Sequence, residues 1–193
     1  MKIISGKYKG ITLKLPKNID FRPTTSMVRE GVKNVIYSNY SDLLVDNNVL
    51  ELFCGSGIMS MELISNGAKH ATCIDCNTDI LTKNIPNVFL DYITSYQYDL
   101  KYKNIFLEHK YSIVYIDPPY KDIEILNSLL SRIPGFNFLA DEAILFIELD
   151  VKNKLKIVIP SYFENIETRR YGKSCIFILK YSKKNLDDFS TND

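Results

Sequence analysis

The sequence predicts an α/β fold in which helices cover both faces of a mostly parallel sheet. Two observations lead to this class. From residue 49 onward, short apolar runs alternate with segments of helical periodicity, the pattern of parallel strands joined by helices. The final apolar runs follow each other closely around Gly172-Lys173, which predicts an antiparallel hairpin. The length of 193 residues fits one ordinary domain.

The N-terminal segment predicts a β-hairpin followed by a helix. The hairpin covers residues 2–15 and turns between Gly6 and Gly10. Apolar residues then recur at helical spacing over residues 28–36, and Thr24 or Thr25 is suited to cap this helix. We expect these elements to form an extension that spans residues 1–40.

The remaining elements form the predicted sheet and its helices. Strands are predicted over residues 49–53, 71–74, 93–98, 112–116 and 143–149, and the final hairpin pairs residues 165–171 with residues 174–181. Helices are predicted after the first strand, after Asn77 and over residues 123–133. The main domain is therefore expected over residues 41–182, with a polar tail over residues 183–193.

The composition is that of a globular protein, with 46% hydrophobic and 24% charged residues. No apolar stretch approaches a membrane span, and the N-terminus lacks the apolar core of a signal peptide, so we expect a cytoplasmic protein with no membrane partner. The four cysteines are too scattered for a disulfide framework. Cys73 and Cys76 have CxxC spacing but lack the two further ligands that a zinc site needs, so no metal is expected.

The net charge of +1 is unevenly distributed along the chain. Residues 1–40 carry eight Lys or Arg and two acidic residues, a balance of +6. The remainder carries 16 basic and 21 acidic residues, a balance of −5. Clustered cations gain affinity for nucleic acid by releasing counterions, so the segment is a candidate RNA-binding arm. A solvated basic face without a partner explains the charge equally well.

A glycine loop follows the first predicted strand. Gly55 and Gly57 allow the backbone to approach a ligand closely at the edge where α/β sheets bind cofactors. Ser60 stands where the dinucleotide fingerprint has its third glycine, and no Gly-Lys-Ser/Thr follows. The loop therefore disfavours a dinucleotide site and a P-loop, although a tight structural turn would use the same glycines.

Two acidic residues follow the second and third predicted strands. Asp75 ends the second strand, where an acid commonly faces the ribose hydroxyls of a nucleoside. Asp99 follows the third strand and is similarly placed for an adenine amino group. Either acid alone would more often be a surface residue. Their shared position at one sheet edge is what makes them site candidates.

The most informative motif is Asp117-Pro118-Pro119-Tyr120, directly after the fourth predicted strand. A stiff turn would explain the two prolines alone. A base amine as substrate explains all four residues. Asp117 and the Pro118 carbonyl can accept its N–H bonds as positive charge develops, and Tyr120 offers a stacking face for a base taken out of its helix.

These residues resemble a known family. The tetrapeptide resembles the DPPY motif of methyltransferases that act on base amines, and residues 51–57 resemble their cofactor loop. The N-terminus resembles that of the RsmD family, the bacterial 16S rRNA guanine-N2 methyltransferases, in Lys2–Gly10, Leu15-Pro16, Arg22–Thr25 and Val28–Glu30. The similarity continues through residues 139–142 and Tyr171-Gly172, and so spans nearly the whole chain.

The resemblance implies a Rossmann-like S-adenosylmethionine-dependent methyltransferase that acts as a monomer on 16S rRNA, free or within the small ribosomal subunit. It implies that the catalytic residues are Asp117, Pro118, Pro119 and Tyr120. It implies that the cofactor is bound by Glu51, Phe53, Gly55, Gly57, Asp75 and Asp99. The residues assigned to RNA are Lys7, Lys9, Lys14, Arg22 and Arg29, and the two arginines are also candidates for contacts with the active-site loops. The chain departs from the family at Glu51, where Asp is common, and at Asp75 and Asn77, where Glu and a second acid are usual.

Three other functions are compatible with parts of the pattern. A DNA adenine-N6 methyltransferase shares the tetrapeptide but usually carries a separate base-reading domain, for which this chain has little room. A nicotinamide-dependent oxidoreductase is disfavoured by the missing third glycine. A catalytically silent RNA-binding assembly factor is disfavoured by the intact Gly55, Gly57 and Asp117.

Overall fold

The computed structural model describes residues 1–15, 24–101, 105–119 and 123–183. The helices of these residues are α1 (Ser26–Asn39), α2 (Ser41–Leu44), α3 (Ile58–Ser65), α4 (Asp79–Asn84) and α5 (Ile123–Arg132). Short 3-10 helices cover Asn87–Tyr92, Ile133–Phe136 and Val151–Asn153. The strands are β1 (Asn48–Leu52), β2 (His70–Asp75), β3 (Ile93–Gln97), β4 (Tyr111–Ile116), β5 (Leu139–Asp150), β6 (Phe163–Tyr171) and β7 (Ser174–Tyr181). Nearly all of the predicted polar tail lies outside the described residues.

All the strands of the described residues belong to one seven-stranded sheet with the order β3-β2-β1-β4-β5-β7-β6. The pairs from β3 to β5 are parallel, whereas β7 runs antiparallel to both β5 and β6. The predicted α/β fold with an antiparallel terminal pair is confirmed. Because β1 has β2 on one side and β4 on the other, the strand order reverses there, and α/β sheets bind ligands beside the carboxyl ends of such strands.

The two faces of the sheet are covered by different helices. Alternate strand residues such as Val49 and Ile113 pack with α1 and α3 in one buried cluster. The intervening residues, such as Leu50 and Val114, pack with α5 in a second cluster. The helical spacing of the apolar residues in α1 matches this arrangement, because Val28, Val32, Val35 and Ile36 all face the core.

The strand boundaries differ from the prediction most clearly in β5, which begins at Leu139 rather than Ala143. Asp141 and Glu142 lie within the strand but are exposed, so they do not continue the apolar run from which the strand was predicted. Glu142 has a φ of 63°, and the pairing with β4 shifts register over this stretch. The early part of β5 is therefore an irregular strand that apolar periodicity could not reveal.

The N-terminal segment forms a hairpin-like pair that packs on the C-terminal end of α3. Its arms are joined by hydrogen bonds from Ile3 N to Ile11 O and from Gly10 N to Ile3 O, both at 2.9 Å. Gly6 has a φ of 78°, and a Cβ at this position would lie only 1.9 Å from the carbonyl oxygen of Ser65. Ile3 belongs to the same buried cluster as α3. The predicted extension therefore shares a core with the sheet, and its boundary at residue 40 stays a prediction.

Helix α1 begins after Thr25, whose side chain accepts a hydrogen bond from Val28 N at 3.3 Å, as predicted for an N-cap. The helix passes close to the end of β6, where a Cβ at Gly31 would lie 2.2 Å from Cζ of Tyr171. Among the helices of the described residues, none has the length and apolar character needed to cross a bilayer.

Candidate active site

The carboxyl ends of β1 to β4 meet at one edge of the sheet, and the predicted cofactor and catalytic residues follow these ends. The backbone N–H of Asp117, after β4, donates to the Leu52 carbonyl of β1 at 3.2 Å. The backbone N–H of Tyr98, after β3, donates to the Asp75 carbonyl of β2 at 2.7 Å. The turns after these strands are therefore held side by side.

The glycine loop between β1 and α3 contains three residues in the left-handed region: Phe53 with a φ of 59°, Gly55 with 50° and Gly57 with 68°. Glycine is favoured at position 57 for two reasons. Its φ is positive, and a Cβ there would lie 2.7 Å from Leu81 Cδ1. Phe53 has a Cβ, and its conformation costs about 1–2 kcal/mol. Strain of this kind concentrates at ligand sites, and it is a feature that the sequence did not reveal.

Asp75 connects the glycine loop to the end of β2. Its Oδ2 accepts the backbone N–H of Gly55 at 2.8 Å, and its Oδ1 accepts that of Asn77 at 3.1 Å. The carboxylate is only half-buried. The thiol of Cys76 also donates to Oδ1, at 3.3 Å. Since each carboxylate oxygen has two acceptor positions, Oδ2 can support the glycine loop and still accept one ligand hydroxyl.

Asp99 is exposed beyond β3, where its Oδ1 accepts the backbone N–H of Lys101 at 2.9 Å. The thiol of Cys76 is influenced by both Asp75 and Asp99. Partial burial and the carboxylates of Asp75 and then Asp99 raise the pKa of this thiol, so both acids lie near it. The other cysteine of the CxxC sequence, Cys73, is buried in β2 and donates to Ser60 Oγ at 3.1 Å.

Glu51 lies beneath the glycine loop rather than on its surface. Its side chain is 2% exposed, and Oε2 accepts Ser60 N at 2.8 Å and Ser60 Oγ at 2.5 Å. Burial raises its pKa to about 7, although the Ser60 hydrogen bonds oppose the shift. The structure thus ties Glu51 to the first turn of α3, and direct contact with a cofactor stays a prediction.

Asp117 is half-buried, and its Oδ2 accepts a hydrogen bond from Thr24 Oγ1 at 3.3 Å. Pro118 is buried and Pro119 is exposed, so the motif leaves the sheet immediately after the acid. Tyr120 lies outside the described residues, and its predicted stacking role is untested. Thr24 is a site residue that its spacing had indicated only as a possible helix cap.

A family model described as Conserved hypothetical protein 95 matches residues 1–180. The Ribosomal RNA small subunit methyltransferase D of Escherichia coli strain K12 is 30% identical over 161 residues, which cover 82% of this chain and 79% of that protein. The chain belongs to the RsmD family. The protein of the same name from Buchnera aphidicola subsp. Baizongia pistaciae is 32% identical over 164 residues, covering 80% of this chain and 79% of that relative.

The fold of this chain is also found among solved structures. The structure described as putative methyltransferase yhhF from Escherichia coli superposes with a TM-score of 0.79. Its sequence is 24% identical, and the match covers 94% of this chain and 98% of that one. The recognition of a Rossmann-like methyltransferase fold is therefore confirmed.

This RsmD-family chain also contains a buried polar cluster next to the tetrapeptide that the sequence interpretation missed. Glu148 of β5 is 1% exposed, and its carboxylate accepts hydrogen bonds from Tyr115 Oη at 2.6 Å and Ser174 Oγ at 2.7 Å. Burial, Glu148 and Asp117 raise the pKa of Tyr115 well above its usual value, so the phenol is neutral and donates. The sequence contains one indication of this cluster, since Glu148 is an acidic residue within the otherwise apolar run of residues 143–149. The hydrogen bonds of Glu148 link β4, β5 and β7 next to Asp117.

The predicted RNA-binding lysines of the RsmD-like N-terminus are exposed but lie on different parts of the hairpin. Lys7 and Lys9 belong to its turn, where Lys7 N donates to the Ser65 carbonyl at 2.7 Å. Ser65 ends α3, which starts at the carboxyl edge and returns toward the start of β2. The turn is therefore at the opposite edge from Asp117. Lys14 lies on the returning arm.

The two predicted RNA-binding arginines have different outcomes. Arg22 lies outside the described residues. Arg29 is corrected by the structure, because its side chain is 2% exposed and cannot present its guanidinium to RNA phosphates. It forms an ion pair with the buried Glu62 of α3 and donates to the Lys2 carbonyl at 3.0 Å. Arg29 therefore fixes the hairpin to α3.

Proposed function

We propose that this chain transfers a methyl group from S-adenosylmethionine to the exocyclic N2 amine of a guanine in 16S rRNA. The observation that carries the proposal is the position of Asp117, whose backbone is held by Leu52 and whose carboxylate lies at the edge that contains the Gly55–Asp75 hydrogen bond. The names of the relatives support an rRNA substrate, since two of them are small subunit methyltransferases.

The residues at this edge fit the cofactor. The backbone of Gly55 has no side chain to obstruct an approaching ligand, and the half-buried Asp75 keeps an acceptor position on Oδ2 for a ribose hydroxyl. Asp99 is exposed nearby, where we assign it to the adenine amino group. When bound, S-adenosylmethionine supplies a methyl group that its sulfonium already activates, so the protein needs chiefly to orient the acceptor.

Asp117 provides that orientation for the target amine. The amine is a poor nucleophile because its lone pair is delocalised into the base. An acceptor at Asp117 Oδ1 or Oδ2 and the carbonyl of Pro118 hold the two N–H bonds, which favours a pyramidal nitrogen and stabilises the positive charge of the transition state. The buried prolyl ring of Pro118 fixes this backbone. We assign Tyr120 to stacking on the extruded base.

The decisive experiment is labelled methyl transfer from S-adenosylmethionine to unmethylated 16S rRNA and to small ribosomal subunits, followed by identification of the product nucleoside. We expect N2-methylguanosine and a monomeric enzyme. The same assay is run with DNA, where methylated adenine would establish the DNA enzyme instead. Binding to the particle is measured in parallel, and binding without turnover would establish the silent assembly factor.

Calorimetry tests the cofactor separately. We expect S-adenosylmethionine and S-adenosylhomocysteine to bind and nicotinamide dinucleotides not to bind, because the loop lacks the third glycine of the dinucleotide fingerprint at Ser60. Tight binding of a nicotinamide dinucleotide with none of S-adenosylhomocysteine would contradict the cofactor assignment.

A further inference from the structure

A second group of cations lies at the carboxyl edge of the sheet, apart from the N-terminal hairpin. Three lysines follow β5 in the ten residues after Asp150, a stretch that contains no acidic residue, and a fourth lysine lies at the tip of the β6–β7 hairpin. All four side chains are exposed. We call this group the edge patch, and its members are Lys152, Lys154, Lys156 and Lys173.

The two parts of the edge patch are held together by the backbone. Val151 N donates to the Lys173 carbonyl at 2.9 Å, and Asp150 is paired with Ser174 in the antiparallel ladder. Burial raises the pKa of the Cys175 thiol, and the ammonium of Lys154 is the main influence that opposes this shift. Lys154 N also donates to the Val151 carbonyl at 3.2 Å, so the backbone of Lys154 lies one turn from the residue that is bonded to the hairpin tip.

The edge patch lies close to the proposed reaction centre. β4 and β5 are parallel neighbours in which Ile116 is opposite Ile147, so Asp117 continues beside Glu148. Asp150 is two positions further along β5. With strands about 4.8 Å apart and a rise of about 3.3 Å per residue, the patch segment begins on the order of 10 Å from Asp117. Lys7 and Lys9, in the turn of the N-terminal hairpin, lie at the opposite edge of the sheet from Asp117.

The patch is a concentration of like charge without internal neutralisation. Among the described residues, none of its ammonium groups is within ion-pair distance of a carboxylate. Leu155, between two of these lysines, is 95% exposed. Lysines held together in this way attract a polyanion, which gains affinity through the release of its condensed counterions.

We propose that the edge patch binds the phosphates of RNA that flank the target guanine. The inference rests on the proposed function and adds a docking surface to it. The N-terminal hairpin then contacts a distant part of the RNA, whereas the edge patch holds the strand beside the reacting base. The edge patch was not indicated by the charge balance along the sequence, because residues 41–182 are net acidic.

The test compares two triple variants that remove the same charge. The patch variant is Lys152→Gln/Lys154→Gln/Lys156→Gln. The control variant changes three exposed lysines elsewhere and is Lys69→Gln/Lys83→Gln/Lys110→Gln. Unfolding in urea verifies that both fold. Binding to a 16S rRNA transcript is then titrated at several salt concentrations, and methylation kinetics are measured on small ribosomal subunits.

We expect the patch variant to lower the logarithmic salt slope by roughly 2 to 3 units, since each lost phosphate contact accounts for about 0.7 to 0.9. KM for the particle should rise while kcat is retained, and the control should leave the slope unchanged. A slope equal to that of the control would overturn the proposal. Loss of particle binding with unchanged transcript binding would also overturn it, because the edge patch would then bind a protein of the particle rather than RNA.

The failure of the proposed function remains distinguishable from failure of the edge patch. If the unaltered chain binds the transcript but methylates neither RNA nor particle, the proposed reaction is wrong, and the salt slopes still decide whether the patch contacts RNA.

Discussion

The hydroxyl of Thr24 donates a hydrogen bond to Oδ2 of Asp117 at 3.3 Å. The two residues are separated by 93 positions in the chain. Thr24 is directly followed by the cap of α1, so the bond connects the N-terminal segment to the acid that ends β4. The orientation of the proposed catalytic carboxylate therefore depends on the part of the chain that we assign to RNA.

We expect Asp117→Ala to abolish most methylation while leaving cofactor binding nearly unchanged. The carboxylate should serve the amine, whose charge changes during transfer, and such an acceptor typically contributes on the order of a hundredfold or more in rate. Calorimetry with S-adenosylhomocysteine and single-turnover kinetics measure the two effects separately. Unaltered turnover in the variant would remove the basis of the mechanism.

We expect Thr24→Val to reduce kcat by about 10-fold, because a hydrogen bond to a charged group contributes roughly 1.5–3 kcal/mol and this one, at 3.3 Å, belongs at the weak end of that range. Thr24→Ser keeps the hydroxyl and serves as the matched control, with near-normal activity. Steady-state kinetics on the natural substrate provide the measurement. Normal activity in Thr24→Val together with a loss in Thr24→Ser would mean that the methyl group of Thr24, rather than its hydroxyl, is the important contact.

The raised pKa of Glu51 predicts a pH dependence of stability. The pKa of Glu51 is about 7 in the folded state, compared with the ordinary value of 4.5. Protonated Glu51 therefore contributes to the free energy of unfolding in full below pH 4.5, and this contribution is lost as pH rises through 7. The shift corresponds to about 3 kcal/mol. Urea unfolding of wild type and Glu51→Gln from pH 4.5 to 8 should show wild type losing that much relative to the variant. Parallel curves would contradict the assigned pKa.

The Arg29–Glu62 pair predicts a strong stability effect. Both side chains are 2% exposed, and burial raises the pKa of Glu62 while Arg29 opposes that shift. Arg29→Met should cost about 3–5 kcal/mol in the free energy of unfolding, because it leaves a buried acid without its partner. Adding Glu62→Gln, which keeps an acceptor for Ile4 N, should recover part of the loss. A double variant as unstable as the sum of its single changes would argue against coupling.

For the N-terminal hairpin we expect Lys7→Ala/Lys9→Ala/Lys14→Ala to weaken RNA binding and flatten its salt dependence. Each lost phosphate contact should lower the logarithmic slope by roughly 0.7 to 0.9. Cofactor affinity should barely change, since Lys7 and Lys9 are remote from the carboxyl edge. Binding titrations at several salt concentrations measure the effect, and an unchanged slope would leave these lysines as a solvated face.

The order of strands and helices could be predicted because short continuous apolar runs, which are buried on both faces of the sheet, differ clearly from the helical spacing of segments such as α1 and α5. The short helix Ser41–Leu44 was missed, since four residues complete barely one turn and show no periodicity. The start of β5 was missed because Asp141 and Glu142 are exposed within the strand.

The predicted site residues were found from motifs that end strands, so their common edge followed from parallel pairing. The role of Arg29 could not be found in this way, because its residue type indicates charge but not burial. Its partner Glu62 is 33 positions away, and only the packing of α1 on α3 brings the two together. The pairing of Tyr115 with Glu148 likewise depends on the register of two neighbouring strands.

β7 follows β6 in the chain but lies between β5 and β6 in the sheet. Among the strands of the described residues, β6 therefore pairs with β7 alone, and β5 has no neighbour on that side until residues 174–181 are available. During synthesis, β5 leaves the ribosome well before the strand that covers its edge. That unpaired, mostly apolar edge is a template for pairing with another nascent chain, so aggregation competes with folding until β7 inserts.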